Sequence, residues 1–224
     1  ETSTGAMNPI KELAEVVHQV SPDTLIMVDA VSSFGGVRIE MDAWGLDWLL
    51  TSSQKCMALP PGLSFGCASA RAMEKAASVQ NRGWYFDMLR MEKHRVKDST
   101  PMTPAMSLIF ATDVQLDRIL AEGLDQRFMR HEQMAKRTQQ WSIEQGMLPL
   151  APEGFRSHTV STIENSKNID ISALNKFLLE RGMRISNGYG DLKNKTFRIA
   201  HMGEIQLSDV NTLLGYMEEF IRTM

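Results

Sequence analysis

The first half of the chain alternates between helical patterns and short apolar runs. Apolar residues between Ile10 and Val20 recur at helical spacing after Asn8-Pro9, so the pattern predicts a helix that Asn8 caps. Three apolar runs are too short for helices and predict buried strands. These runs cover residues 25–28, 46–51 and 63–68. With a further helix predicted over 69–80, this alternation favours a mainly parallel sheet covered by helices.

The second half of the chain changes in character. Residues 81–104 are aromatic and then rich in Thr and Pro, which predicts irregular structure, and residues 105–146 are helical with a break near Gly123. Beyond them, strands and helices alternate again. Strands are predicted over 158–163, 183–186 and 196–201, and helices over 172–181 and from a Ser208 cap almost to Met224. We therefore expect a domain boundary near residue 125, which divides the chain into 1–125 and 126–224.

Composition and charge exclude several classes of protein. The formal net charge of -3 gives no electrostatic reason to expect nucleic acid or an anionic membrane surface. No apolar run approaches the length that a bilayer requires. The histidines form no close metal-ligand pair, and Cys56 and Cys67 have neither zinc-site spacing nor a disulfide framework. The sequence predicts no nucleic-acid, membrane or metal partner, and two reduced cysteines in a cytoplasmic protein.

Two polar residues stand where an open α/β sheet would place a ligand. Asp29 ends one predicted strand, and Lys55 closes the Ser52-Ser53-Gln54-Lys55 loop after another. Ligands in such sheets bind outside the carboxyl ends of the strands. Neither residue is specific by itself, because an Asp after an apolar run is usually a turn or cap residue and a loop Lys is usually solvated.

Taken together, several motifs resemble class V aminotransferases of the fold type I pyridoxal-phosphate family. In chain order they are ETSTG at 1–5, VDAVSSFGG at 28–36, SSQK at 52–55, PPG at 60–62, RGWYFD at 82–87, TPMTP at 100–104, EGL at 122–124 and FRIAHMG at 197–203. The spacing of Asp29 and Lys55 also fits this family. Serine–pyruvate and alanine–glyoxylate aminotransferases are the most similar in pattern.

The resemblance implies an α/β protein with the three-layer fold type I architecture. We expect a mostly parallel sheet, present here as part of the large domain, followed by a smaller α+β C-terminal domain. Relatives carry a long segment before ETSTG, with a Gly-rich phosphate loop and an aromatic that stacks on the cofactor ring. Neither feature occurs in this chain. The chain is therefore either part of a longer polypeptide or a whole polypeptide in which cofactor binding would be badly weakened.

The resemblance also assigns the two central residues their roles with pyridoxal 5'-phosphate. Lys55 is expected to form a Schiff base with the cofactor aldehyde and, once freed, to carry the proton from the substrate Cα. Asp29 is expected to keep the pyridine nitrogen protonated, so that the ring accepts electrons. These two residues are the predicted catalytic pair.

Further cofactor contacts are implied for Thr2, Val31, Ser52 and Gln54. Thr2 would hydrogen-bond the ring hydroxyl, Val31 would pack on the ring face, and Gln54 with Ser52 would contact the phosphate. Thr2 and Ser52 have local backbone capping as the alternative interpretation.

Thr100 and Thr103 match positions that in relatives reach the phosphate of a partner subunit, and a Pro-rich turn is the alternative. Relatives commonly have Tyr at the position of Thr100. Arg198 is the expected ligand of the substrate α-carboxylate, because guanidinium binds carboxylates through two parallel hydrogen bonds. A structural ion pair is the alternative for Arg198.

Other charged and aromatic side chains receive structural interpretations. Arg127, Arg130 and Lys136 are interpreted as the solvated face of a helix. Trp84-Tyr85-Phe86 is interpreted as packing between domains or at a dimer interface.

The sequence thus predicts a homodimeric aminotransferase that moves an amino group from a small amino acid, such as alanine or serine, to a 2-oxo acid such as glyoxylate or pyruvate. Two alternatives stay open. One is another reaction on the same fold, such as a lyase or an aminophosphonate or ureidoglycine transaminase, although Arg198 favours an α-carboxylate substrate. The other is an inactive fragment or binding protein.

Overall fold

The computed structural model describes residues 1–224, which form seven α-helices and six strands. The helices are α1 (Ile10–Val20), α2 (Ala70–Ser78), α3 (Met88–Arg95), α4 (Met106–Glu122), α5 (Leu124–Glu144), α6 (Ile171–Leu179) and α7 (Leu207–Arg222). The strands are β1 (Met27–Asp29), β2 (Trp48–Ser52), β3 (Ser64–Ala68), β4 (Val160–Glu164), β5 (Ser186–Asn187) and β6 (Thr196–Ala200). They make two three-stranded sheets, one in each half of the chain.

The first sheet has the order β1-β2-β3 and mixes strand directions. β1 and β2 are parallel, with Asp29 opposite Leu50, whereas β2 and β3 are antiparallel. The antiparallel pair departs from the mainly parallel sheet that the pattern predicts for this segment. The reason is the connection between β2 and β3, which contains no helix and therefore cannot cross over to a parallel strand.

A small apolar core lies on one face of this sheet, beneath α1. Its fully buried members are Ala14, Val28, Ala30, Leu46 and Leu49. Successive strand residues point to opposite faces, so Val28 and Leu49 face this core while Asp29 and Leu50 face the other way. Ala14 and Ile10 of α1 pack on this core, whereas Leu13, Val16 and Val20 of the same helix are exposed.

A buried carboxylate, Asp47, fixes the strand entries and α2 to each other. It accepts hydrogen bonds from the Ile26 backbone N–H (2.8 Å), the Ser69 hydroxyl (2.8 Å) and Arg71 Nε (3.0 Å). The bond from Arg71 lowers the pKa of Asp47 to about 2. Asp47 therefore stays ionised and holds the edge of the sheet in register.

The second sheet, with the order β4-β6-β5, is antiparallel throughout. It packs with α5, α6 and α7 around a larger apolar core. The core residues come only from positions 134 to 217: Met134, Trp141, Met147, Ile163, Ile169, Ile171, Leu174, Leu178, Ile185, Phe197, Ile199, Val210, Leu213, Leu214 and Met217. Burial of each large side chain here contributes about 1.5–3 kcal/mol. A domain boundary near residue 125 stays a prediction.

Most predicted elements are confirmed, with shifts of one to three residues at their ends. The predicted break at Gly123 is confirmed, because Gly123 separates α4 from α5 with a φ of 83°. The prediction of irregular structure over 81–104 is wrong in part, since α3 forms there. Asp87 caps it by accepting from the Leu89 N–H (3.1 Å), and no α3 residue is buried, so hydrophobic periodicity gave no signal.

Two predicted helix caps are wrong. Pro9 occupies the N-cap position of α1, and no side chain caps that helix, so Asn8 does not have this role. Ser208 lies inside α7, which begins instead with a reciprocal capping box between Gln206 and Asp209. None of the helices combines the length and the apolar character that crossing a bilayer requires.

Candidate functional site

The loop that carries Lys55 is closed by its own hydrogen bonds. It follows β2, and the fully buried Ser53 donates through its hydroxyl to the Pro60 carbonyl (2.7 Å). The Lys55 carbonyl accepts from the Ala58 N–H (2.9 Å), and Ala58 has a positive φ of 55°. The tight turn leaves the Lys55 side chain half-buried, and Lys55 takes part in none of the salt bridges of the chain.

Cys56 joins this lysine loop to the loop that follows Asp29. It is fully buried, and its thiol donates to the Ser32 carbonyl (3.2 Å). Burial, together with the nearby Glu1 carboxylate, raises the pKa of Cys56 to about 12. Cys56 is therefore a neutral packing residue and no nucleophile.

Asp29 and Ser52 lie on the same face of the first sheet. Asp29 is opposite Leu50, and Ser52 follows two residues after Leu50, so all three side chains point away from the α1 core. One carboxylate oxygen of Asp29 accepts from the Val31 N–H (2.9 Å), and the residue is exposed. Asp29 and Val31 are thus presented together at the carboxyl end of β1.

Unused hydrogen-bonding capacity marks the carboxyl end of β2. The Ser52 hydroxyl is buried and has no hydrogen-bond partner. A buried polar atom without a partner is costly, which indicates that the site is built for a ligand that supplies one. Gln54 is exposed. The backbone-capping alternative for Ser52 is wrong, since its oxygen caps nothing.

The N-terminal residues run along β4, beside the strand that carries Arg198. The Thr162 hydroxyl donates to the Ser3 carbonyl (3.0 Å), and Thr162 is the register partner of Arg198. The side chain of Thr2 is exposed, while its backbone N–H donates to the Ala6 carbonyl (3.0 Å). The N-terminal segment thus lies beside β4, and β4 is paired with β6, the central strand that carries Arg198.

Arg198 is positioned by one contact and keeps the rest of its guanidinium free of protein carboxylates. Its Nε donates to the Asn187 carbonyl (3.1 Å) on β5, and the side chain is half-buried. No carboxylate forms a salt bridge with it, so the alternative of a structural ion pair is wrong. Such a guanidinium can take an external carboxylate.

The segment after β6, the strand that carries Arg198, packs against the lysine loop. Gly203 packs so closely on the lysine loop that a Cβ there would lie 3.0 Å from the Cβ of Ala58 and 3.4 Å from the Lys55 carbonyl oxygen. Its φ of 75° also requires glycine. The HMG end of the FRIAHMG motif is therefore the contact between the two sheets at Lys55.

Two of the predicted positions lie away from the contact between the two sheets at Lys55. Thr100 and Thr103 are exposed, and the Thr100 hydroxyl donates to the Met102 carbonyl (2.6 Å) within its own segment. Trp84, Tyr85 and Phe86 are also largely exposed and pack against near neighbours, with Arg90 stacked on Trp84 at 3.8 Å. These aromatics do not pack between the two halves of this chain.

Comparison with known proteins decides the family. Residues 1–192 match the family described as Aminotransferase class-V. The chain belongs to the class V aminotransferase family. An uncharacterized aminotransferase of Methanocaldococcus jannaschii is 38% identical over 221 residues, which cover 97% of this chain and 57% of the relative.

Two further relatives agree with this membership. Alanine–glyoxylate aminotransferase 1 of Saccharomyces cerevisiae is 33% identical over 235 residues, which cover 97% of this chain and 58% of the relative. The crystal structure of an alanine–glyoxylate aminotransferase from Nostoc sp. superposes with a TM-score of 0.90 at 30% identity, over 99% of this chain and 59% of that one. The fold type I architecture is therefore confirmed, and the chain spans less than three fifths of the length of these relatives.

This class V chain also contains a buried basic cluster that the sequence analysis misinterpreted. Arg127 is fully buried and Arg130 nearly so, which makes the solvated-face interpretation wrong for both, whereas Lys136 is 71% exposed as interpreted. Arg127 and His131 continue the buried stripe of α5 at helical spacing. That stripe contains Met134, Thr138 and Trp141. The helical spacing of Arg127 relative to this stripe indicates a buried position, whereas its charge indicates an exposed one. The spacing is the signal that could have revealed its burial.

Two histidines near the lysine loop are buried and neutral. Burial, aided by Arg130 and Arg127, lowers the pKa of His131 to about 4, and burial lowers the pKa of His201 to about 3. His131 Nδ1 donates to the Arg127 carbonyl (2.7 Å), so its Nε2 is free to accept from the Gly203 N–H (3.1 Å). Both rings act as neutral hydrogen-bonding groups.

Proposed function

We propose that this chain carries the lysine and the substrate-binding arginine of an aminotransferase that uses pyridoxal 5'-phosphate. It would move an amino group from a small amino acid of the alanine or serine type to a 2-oxo acid of the glyoxylate or pyruvate type. One observation carries this proposal: the lysine loop contacts both the loop after Asp29 and the segment after Arg198. These contacts support one shared site for the nucleophile, the acidic group and the carboxylate ligand.

Pyridoxal phosphate is the cofactor of the class V family, and when bound it supplies an electron-accepting ring. Lys55 would hold it through a Schiff base from Nζ. Asp29 would hold a proton on the ring nitrogen, for which its exposed carboxylate is suitable. Val31 would pack on the ring face beside Asp29.

The phosphate and the ring hydroxyl need hydrogen-bonding groups. The unpartnered Ser52 hydroxyl and the exposed Gln54 side chain flank Lys55 and would contact the phosphate. Thr2, whose side chain is also exposed, would hydrogen-bond the ring hydroxyl. The unpartnered Ser52 oxygen is the structural feature that most directly supports the fit.

The substrate would be oriented by Arg198 and deprotonated by Lys55. Arg198 would bind the α-carboxylate through its terminal nitrogens while Asn187 keeps its Nε in place. The freed amine of Lys55 would then carry the proton from the substrate Cα to the cofactor carbon. The relatives named for alanine and glyoxylate support the proposed substrates.

Assembly, compartment and domain division are parts of the same proposal. A homodimer is supported by the apolar outer face of α4, where Met106, Phe110, Val114 and Leu120 are exposed. Thr100 and Thr103 would reach the phosphate of the partner subunit.

Both cysteines are free, which agrees with a reducing cytoplasm. Residues 1–125 would belong to the large cofactor domain and 126–224 to the small domain, each with its own core.

The activity is tested by supplying donors and acceptors in pairs to the complete natural polypeptide loaded with cofactor. With alanine or serine as donor and glyoxylate as acceptor, mass spectrometry should detect glycine together with the 2-oxo acid of the donor. Formation of ammonia, or cleavage of the donor carbon chain, would point to a lyase and contradict the proposal. No product from any pair, despite bound cofactor, would favour a protein without turnover.

A further inference from the structure

A single buried guanidinium, that of Arg127 on α5, is bonded to both loops of the cofactor side. Its Nε donates to the Gly35 carbonyl (3.0 Å) in the loop that follows Asp29. One terminal nitrogen donates to the Cys56 carbonyl (2.7 Å), adjacent to Lys55. Arg127 is 0% exposed, so these bonds are shielded from water. The backbones on either side of the proposed cofactor are thus held at a fixed separation by one side chain.

The other terminal nitrogen of Arg127 connects this support to the substrate side. It donates to Glu122 (2.7 Å) at the end of α4 and to Glu204 (3.1 Å) in the segment after β6. The two carboxylates balance the buried positive charge. The same guanidinium therefore reaches Glu204, four residues after the end of β6, the strand that carries Arg198.

Neighbouring residues of α5 hold that segment by its backbone. Arg130 donates to the Gly203 carbonyl (3.0 Å) and to the Ile205 carbonyl, and it is paired with Glu122. His131 accepts from the Gly203 N–H (3.1 Å). Since Gly203 lies against the Lys55 carbonyl, the segment has little freedom to move without the lysine loop.

We propose that Arg127 is a positioning residue, which sets the placement of Lys55 relative to the loop after Asp29 and to the segment after Arg198. This inference rests on the proposed function. Arg127 touches neither substrate nor cofactor; it acts through the backbone carbonyls that it holds. Through Arg127, α5 would set the distance between the Lys55 amine and the Arg198 guanidinium.

Arginine is the only side chain that can perform this task in the observed arrangement. Its planar fork offers five N–H donors in fixed directions, and here they serve two carbonyls and two carboxylates. Lysine would keep the charge but could not reach four acceptors in these directions. The variant Arg127→Lys therefore removes the geometry and keeps the electrostatics.

The test compares Arg127→Lys with Lys136→Ala, a change on the exposed face of the same helix, in the complete natural polypeptide. Without cofactor, hydrogen exchange in Arg127→Lys should be faster at the Ala58, Leu59 and Gly203 amides, which lie in the positioned loops. With cofactor, kcat/KM for the amino acid should fall about 100-fold, the effect of a displacement of about 1 Å at the reacting atoms. Lys136→Ala should match the wild type in both measurements.

A milder variant keeps the inference testable if Arg127→Lys does not fold. Glu204→Gln weakens the link between Arg127 and the segment after β6 but keeps the Arg127 bonds to the Gly35 and Cys56 carbonyls, and it should raise KM for the amino acid about fivefold while cofactor capture is unchanged. If Arg127→Lys only lowers the melting temperature, with wild-type exchange at these three amides and wild-type kinetics, the positioning role is refuted. If the wild type itself captures no cofactor, the proposed function fails instead.

Discussion

At the scale of residues, Arg198 shows how a strand arginine can be both fixed and available. The bond from Nε to the Asn187 carbonyl limits its rotamers, and the absence of a carboxylate partner leaves its terminal nitrogens for a ligand. Arg71, by contrast, donates two hydrogen bonds to Asp47, so the charge of each residue is already paired within the protein. The difference between a site arginine and a structural one is thus visible in its partners.

Arg198→Lys should raise KM for the amino acid about 10–100-fold, because one ammonium replaces two parallel charge-assisted hydrogen bonds. Binding of pyridoxal phosphate should be unchanged. Steady-state kinetics and a cofactor titration measure the two effects separately. Arg184→Lys, at an exposed position, is the matched control. An unchanged KM in Arg198→Lys would refute the carboxylate role.

Sequence predicted the residues with a motif and missed those whose role depends on packing. Asp29, Lys55 and Arg198 lie in ordered motifs of the family, so the sequence alone is enough to propose them as site residues. Arg127 lies in no such motif, and its burial depends on carboxylates and carbonyls from segments 5 to 92 residues away. Charge alone suggested solvent, and only the tertiary contacts reveal the buried cluster.

At the scale of elements, a buried neutral histidine at the end of β6 is hydrogen-bonded to β4 and to the residues before it. His201 follows β6, where Nδ1 donates to the His158 carbonyl (3.1 Å) and Nε2 accepts from the Ser161 hydroxyl (2.9 Å). His131 on α5 is bonded on both ring nitrogens as well. A proton on either ring would need to displace an accepted hydrogen bond in a buried space.

The lowered pKa values of these two histidines predict that the folded protein loses stability in mild acid. Their pKa values fall from the ordinary value near 6.5 to about 4 for His131 and about 3 for His201. They have no effect above pH 6.5. Below pH 6.5, the two histidines bind protons in the unfolded chain but not in the folded chain. The unfolding free energy therefore drops by about 1.4 kcal/mol per pH unit for each histidine.

Denaturant unfolding between pH 7 and 4.5 measures this slope, and His131→Gln should remove about half of it. A slope unaffected by His131→Gln would contradict the assignment. The contribution of Asp47, whose folded pKa is about 2, is lost only below its ordinary value of 3.8, so it lies outside this window.

Element prediction succeeded where periodicity was strong and failed where another signal dominated. The buried stripe of α7 was evident in the sequence, whereas α1 buries only Ala14 and leaves Leu13, Val16 and Val20 of its apolar pattern exposed. The direction of β3 depends on the connection that contains the lysine loop, which an apolar run does not encode. The short α3 has no buried residue, so its only local signal was the Asp87 cap.

At the scale of the whole molecule, each sheet has its own core, and α4 presents an apolar face that neither core covers. Phe110 is 66% exposed and Leu120 is 68% exposed on this helix. A contiguous apolar surface of this kind marks an interaction site. The homodimer that we propose would cover it.

Phe110→Glu should therefore shift the complete natural polypeptide from dimer toward monomer, because it places a charge in the apolar contact. Sedimentation velocity at micromolar concentration measures the shift. Lys136→Ala, at an exposed position of α5, is the control that leaves α4 unchanged. An undiminished dimer in Phe110→Glu would show that this face is not the interface.

The central claim is that Lys55 forms the covalent link to pyridoxal phosphate. The most direct test is the absorbance of the complete natural polypeptide with this cofactor, followed by borohydride reduction and peptide mass analysis. The account predicts a band near ~420 nm and the mass of the reduced cofactor on the peptide that contains Lys55. Lys55→Ala should lose both, whereas Lys75→Ala should keep them. A band that persists in Lys55→Ala, or no band in the wild type, would contradict the account.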